Sequence, residues 1–385
     1  MKTVERENIL DMAHGLSQEV ATRADSADRT GKLPAEDVQA LKESGYTLLS
    51  IPREYGGYGL PMRDCAAAQL ELAQGSASTA MVAAMQMQVF GTASEQRYWP
   101  EALFEKFCRA SVQDGALFNV IASEPLMGSP SRGGAFQTYA NLTDDGWVIN
   151  GHKNWATGGK FLTHILVKLN IGDDSGMMLI PGDAAGIEWV ETWRDVLSLR
   201  ASDSHDVYFN NVTVPLGNLV ERVLRKPEPP NAWFAMSVTS VYLGAAIAAR
   251  NAVIQFALER VPTALGKPIA TLPKIQRQIG EIDLALQAAQ TLLLEACAGW
   301  TGDTEDRKQN YARIVAAKTL ATETAEQATM KALRIAGGSS ITHDLPLERY
   351  FRDSQAGFSH PPSGDAAYEA IGQNAINTWK TNLHK

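Results

Sequence analysis

GWVINGHKNWA, residues 146–156, decides the fold class. Val, Ile and two Trp stand between Gly and Asn, a β-strand composition with turn residues inside and beside it. Similar runs follow: THILVKLNI (163–171), GMMLIPG (176–182), GIEWVE (186–191) and DVYFNNVTVP (206–215). Gly, Asn and Asp separate them, which predicts an antiparallel β region over about 116–225. No βαβ alternation and no GxGxxG loop occur there, which argues against a Rossmann dinucleotide site.

The flanks change period. PAEDVQALKESG (34–45), within Leu33–Leu48, spaces its apolar residues for a helix, as do Asp64–Leu72 and Met81–Val89. IPREYGGYGLP (51–61) is a Pro/Gly-punctuated loop. From about 231 the chain is helical again. Ile314, Ala317, Ala321, Ala325, Ala328, Ala332 and Ile335 recur on one face, small enough for close helix packing, until AGGSSI (336–341) breaks the helix. The expected fold is α+β, mostly α: an N-terminal helical domain over 1–115, a central antiparallel β-barrel over 116–225 and a C-terminal four-helix bundle over 226–385. Such an Ala-rich helical half predicts oligomerisation.

Composition excludes several function classes. The 385 residues carry 35 Lys and Arg against 43 Asp and Glu, a net charge of −8 with no basic clustering, which argues against nucleic acid. No run of about 18 apolar residues is expected to span a membrane. The N-terminus MKTVERENILDMAHGL lacks the apolar core of a signal peptide. Cys65, Cys108 and Cys297 form no CxxC pair, so a reduced, cytoplasmic setting without a metal site is expected. His152 is expected in a β turn, His205 beside Asp206 in a strand, and Asp173-Asp174 in a solvated turn; none has metal-ligand spacing.

Several stretches, in order, resemble the acyl-CoA dehydrogenase superfamily: IPREYGGYGL (51–60), ASEP (122–125), WVINGHKNWATGG (147–159), LSLRASDSHDVYFNNVTVP (197–215), ALERV (257–261) and RIAGG (334–338). The resemblance implies a flavin-dependent oxidoreductase with flavin held between the three domains, usually in a homotetramer. It implies that Ser123 and Trp155 flank the isoalloxazine and that Thr157 donates near N5. Donors of this kind suit the negative charge of reduced flavin. Trp155 filling the barrel core is the plainer alternative. The resemblance also places Arg260 across a subunit interface on the FAD pyrophosphate, the other reading being a solvated helix-end arginine. It sets Gly337 and Gly338 at the ADP half. The family's usual glutamines are replaced by Arg334 and Pro273, so FAD is expected with FMN left open.

RDSQAGFSHPPSGD (352–365) departs from the dehydrogenase pattern. Arg352-Asp353 matches a family pair, but His360-Pro361-Pro362 stands where a catalytic glutamate is expected, and NAWFAMSV (231–238), the alternative location, has no acid. Glu369 in AYEAIG (367–372), or Asp365, is a candidate displaced base. The other reading makes His360, with the Ser123 hydroxyl, catalytic in oxygen chemistry. The segment resembles the superfamily's flavin monooxygenases of the dibenzothiophene monooxygenase type, which take reduced flavin from a separate reductase. A histidine titrates in the range useful for proton donation, or it is a surface loop residue before a Pro-Pro turn. CoA recognition looks weakened in EPLMGSPSRGG (124–134), although Arg132 is available to a phosphate. Met85, Met87, Phe90, Met127, Trp233, Phe234 and Met236 are candidates to line an apolar pocket for a small organic substrate, or plain core. Three functions stay open: a monooxygenase, an acyl-CoA dehydrogenase working with an electron-transfer partner, and a non-catalytic relative.

Overall fold

The computed structural model describes residues 6–127, 135–224, 230–301 and 304–383. Its helices are α1 (Arg6–Thr30), α2 (Ala35–Glu43), α3 (Met62–Gly75), α4 (Ala77–Gln96), α5 (Glu101–Asp114), α6 (Ala232–Glu259), α7 (Pro273–Ala298), α8 (Thr304–Ala336), α9 (Leu347–Gln355) and α10 (Asp365–Leu383). Its strands are β1 (Phe118–Ile121), β2 (Tyr139–Thr143), β3 (Gly146–Ala156), β4 (His164–Ile171), β5 (Asp174–Pro181), β6 (Ile187–Val190), β7 (His205–Val214) and β8 (Leu219–Glu221).

The strands form one sheet in the order β6-β7-β3-β2-β4-β5-β8, with β1 added on β4. Most pairs are antiparallel as expected, but β1 and β2 both run parallel to β4, so the sheet is mixed. His152 is not in a turn. It lies within β3 opposite Tyr208, its ring stacked on the tyrosine at 3.9 Å and its Nε2 2.6 Å from Asp206 Oδ2.

α6 is the axis of the helical part, packing on α3, α4, α7, α8 and α9. It bears on one sequence expectation. Its 28 residues include an 18-residue window with a mean hydropathy of 1.5, apolar and long enough to cross a membrane. That window is 94% buried by neighbouring helices, so α6 is the apolar core of a helical assembly. Gly244 sets its approach to α3, because a Cβ there would stand 2.6 Å from Ala73 Cβ and 2.7 Å from Leu70 O. On α8 the whole predicted stripe from Ile314 to Ile335 is buried. The helix stops where Gly337 turns to φ +60°, a conformation costly for residues bearing a Cβ. The C-terminal part holds three long helices and two shorter ones, α9 and α10, among the described residues, one more than four.

Candidate active site

The segment after β1 and the end of β3 face each other through a buried ion pair. Lys153 Nζ lies 2.7 Å from Glu124 Oε1, with both side chains essentially sealed from solvent. Glu124 also accepts from Gln137 N (2.6 Å) and Thr138 N (3.0 Å), and Lys153 donates to Ala122 O (3.2 Å). Burial pushes the Glu124 carboxyl upward most strongly, yet the ammonium and the two amides outweigh it and hold it below the usual range. Burial draws Lys153 down to about 8, so the pair is ionic at neutral pH. It brackets two of the predicted flavin residues: Ser123 precedes Glu124, and Trp155 follows Lys153 by two positions. Ser123 O accepts from Asn154 N (3.1 Å), closing the bracket.

Beyond it, Trp155 adopts φ +58° and is 56% exposed, which removes the barrel-core alternative. Thr157 is buried, and its hydroxyl meets Ser204 Oγ at 2.8 Å, which meets Ser202 Oγ at 2.7 Å. Asn119 donates from Nδ2 to Thr157 O (3.0 Å). The Oδ1 atoms of Asn119 and Asn154 are buried and have no partner among the described residues. Buried acceptors in want of donors, beside an exposed indole and a hydroxyl, fit a flavin, whose ring system offers N–H donors and a flat face. The residues present therefore fit the group that the sequence implies.

The second cluster surrounds His360. Its ring is half-buried, with Nδ1 2.7 Å from Tyr242 Oη and Phe234 edge-on at 5.7 Å between centroids. Burial, helped by the charge of Lys318, pulls the imidazole down to about 4. At that value it is neutral at pH 7, and its ring is held against α6 by Tyr242 and Phe234. Lys318 of α8 is buried, donates to Gly357 O (3.0 Å), and is itself drawn down to about 8 by burial. α9, just before His360, is tied to the rest of the chain. Asp353 Oδ1 accepts from Leu199 N (2.8 Å), and Asp353 O accepts from Ser198 Oγ (2.9 Å). Arg352 pairs with Asp28 and Glu348, and Arg349 with Asp25. Leu199 begins the turn that carries Ser202 and Ser204, so α9 braces the hydroxyl chain leading to Thr157. Burial pushes Asp353 up to about 6.

The other predicted residues lie apart. Arg260 is exposed at the C-terminal end of α6. Gly337 and Gly338 are exposed at the end of α8, where a Cβ would meet nothing within 4 Å. Asp365 and Glu369 are exposed on α10. Arg132 falls outside the described residues. Of the suggested pocket residues, Phe234 reaches His360, whereas Phe90 packs edge-on against Phe118 in a separate core cluster with Phe104 and Phe107. Sequence reasoning missed Tyr242 and Lys318. The one available signal was Lys318 itself, a charge set into the Ile314–Ala321 face that is otherwise apolar.

Family models for the acyl-CoA dehydrogenase N-terminal, middle and C-terminal domains match residues 3–106, 119–212 and 236–361. The putative acyl-CoA dehydrogenase YdbM of Bacillus subtilis is 36% identical over 367 residues, 94% of this chain and 95% of that protein. Among solved structures, nitrososynthase from Micromonospora carbonacea var. africana superposes with a TM-score of 0.82 at 25% identity, covering 96% of each chain. FMN-bound TdsC from Paenibacillus sp. A11-2 gives a TM-score of 0.85 at 22% identity, covering 96% of this chain and 97% of that one.

Proposed function

The chain belongs to the acyl-CoA dehydrogenase family and is a flavin-dependent oxidoreductase, and we propose that it is an oxygen-using monooxygenase acting on a small organic substrate. The observation that carries this reading is the surroundings of His360. On this reading His360, whose imidazole is held by a phenol and an aromatic edge, stands where a dehydrogenase would need a carboxylate to take an α-proton. A neutral imidazole donates a hydrogen bond and does not remove a weakly acidic C–H proton with the force of a desolvated carboxylate. The similarity to a nitrososynthase at 25% identity supports oxygen chemistry.

Bound flavin supplies two electrons, so that one oxygen atom of O2 enters the substrate and the other leaves as water. This chain's residues do the rest. Trp155 and Ser123 hold the ring, Thr157 with Ser204 and Ser202 orients hydroxyls at its edge, and His360 donates to the reacting oxygen. Phe234 keeps water from that side. A separate reductase supplies the electrons. FAD is the proposed cofactor, with FMN the alternative. Arg260, Gly337 and Gly338, exposed on one copy, meet the far half of the cofactor from a neighbouring copy in a homotetramer.

The second reading is an acyl-CoA dehydrogenase with Glu369 as displaced base, favoured by the 36% identity to a putative acyl-CoA dehydrogenase. One experiment separates the two. Flavin-loaded protein is reduced without oxygen and mixed rapidly with oxygenated buffer while absorbance is recorded. A transient species that outlives mixing and is lost in His360→Ala is expected. Direct reoxidation without it, together with bleaching of the oxidised flavin by an acyl-CoA, refutes the oxygen reading and supports the second.

A further inference from the structure

Tyr242 is fully buried on α6, and its Oη stands 2.7 Å from His360 Nδ1. Burial first, and then the charge of Asp353, drives the phenol well above its ordinary range, so it keeps its proton. A buried hydroxyl needs an acceptor for its hydrogen, and among the described residues Nδ1 is the polar partner that Oη has. An Nδ1–H tautomer would turn the bond round and leave the phenol hydrogen facing apolar neighbours. Opposite Tyr242, Lys318 reaches up from α8 to Gly357 O at 3.0 Å. Gly357 is wedged there, since a Cβ would lie 3.0 Å from Thr322 Cγ2 and 3.2 Å from Tyr242 Cδ2. The turn before His360 is thus clamped between α6 and α8. The titratable groups facing this assembly are Tyr242 from α6, Lys318 from α8 with Glu323 beyond it, and Asp353 from α9.

We propose that Tyr242 and Lys318 are positioning residues for His360: the phenol donates to Nδ1 and so fixes the imidazole proton on Nε2, while the ammonium clamps the turn that carries the ring. His360 then works as a neutral Nε2–H donor and not as an imidazolium acid. This deepens the reading of His360 given above and rests on it for the ring's function, whereas the tautomer is measured without turnover.

The test is nitrogen NMR of the full, flavin-loaded chain labelled with 15N-histidine, the His360 signals being those lost in His360→Gln. One protonated Nε2 and one bare, hydrogen-bonded Nδ1 are expected, unchanged from pH 8 to well below the ordinary histidine value of 6.5. Tyr242→Phe is expected to give mixed tautomers, and Lys318→Met to raise the titration midpoint of His360. An Nδ1–H signature, or a charged ring at pH 7, in the unsubstituted protein overturns the proposal even where a variant fails to fold. A single unchanged tautomer in Tyr242→Phe removes that residue's role, and an unmoved titration in Lys318→Met removes the other's. If the tautomer is as stated but the oxygen-dependent transient is absent, the monooxygenase reading alone falls. A reversed tautomer with the transient intact sinks this inference alone.

Discussion

Replacing Lys153 with methionine isolates the device that holds Ser123 and Trp155. Both side chains of the Lys153–Glu124 pair are essentially inaccessible, at 0% and 1% exposure. Removing one partner of a buried pair costs about 3–5 kcal/mol, because the surviving charge stays buried without a counter-charge. Here Glu124 keeps its two backbone donors, Gln137 N and Thr138 N. Methionine retains most of the stem over the Phe136 ring, from whose centroid the ammonium stood 4.3 Å. The expected loss is therefore at the low end, about 3 kcal/mol. Adding Glu124→Gln removes the orphaned charge while leaving an acceptor for only one of the two amides, and is expected to recover about half of that loss, a coupling of the size seen for residues in contact. Urea unfolding of the apoprotein followed by tryptophan fluorescence measures both changes, and flavin retention on gel filtration measures the effect on the site. A loss below about 1 kcal/mol, the range of an exposed ion pair, or a double variant equal to the sum of the singles, would refute the argument that this pair is desolvated and carries the bracket.

Trp155→Ala is expected to leave apoprotein stability within about 0.5 kcal/mol, as for other exposed positions, while weakening flavin binding about tenfold, or ~1.4 kcal/mol; fluorescence titration with FAD and FMN checks it, and an unchanged affinity removes the indole from the flavin face. Glu95 accepts the indole N–H of both Trp233 (2.9 Å) and Trp300 (2.8 Å), tying α4 to α6 and to the end of α7. Arg307 also pairs with Glu95 Oε1 at 3.5 Å, so Glu95→Ala leaves both indoles and this guanidinium without their partner and should cost about 2–4 kcal/mol in urea unfolding, whereas Glu95→Gln, which loses the ion pair but keeps an acceptor for the indoles, should cost less. His360 and Asp353 give opposite acid responses. Drawn down to about 4 from 6.5, His360 resists the proton that the unfolded chain accepts, so its contribution is full above pH 6.5 and is lost as pH falls towards 4. Asp353, pushed up to about 6 from 3.8, takes its proton first in the folded state, so its contribution grows as pH falls through that interval. Each is worth about 3 kcal/mol at most, and the two nearly cancel between pH 6 and 4. Asp353→Asn should then make urea midpoints fall with acid over that range, and His360→Gln should make them rise; parallel curves for all three proteins would refute the opposition.

What was legible in the sequence follows from how locally each feature is made. β3, β4, β5, β6 and β7 announce themselves through β-branched and aromatic runs between turn residues. β8 is three residues long and β2 is mostly exposed, so neither offers an apolar run to read. α6 is apolar all round, so periodicity assigns it no face. Only the helices that cover it distinguish a core helix from a membrane span, and those lie far away in the chain. The candidate site divides in the same way. Ser123, Trp155 and Thr157 sit on two neighbouring segments whose geometry is set by strand pairing and one ion pair, so a linear motif suffices to mark them. Tyr242 meets His360 across 118 residues, and Lys318 meets Gly357 across 39, with no motif linking either pair. Without them His360 reads as a loop residue before two prolines. With them it becomes a neutral imidazole fixed in a clamped turn. The acid missing from residues 231–238 also takes on meaning only in three dimensions. The helix that carries no carboxylate near its start carries a phenol further along, and that phenol is what the segment ending in His360 docks against. His360, Tyr242 and Lys318 thus form one packed unit drawn from α6, α8 and the turn after α9, and a single substitution in any one of them should be felt at the imidazole.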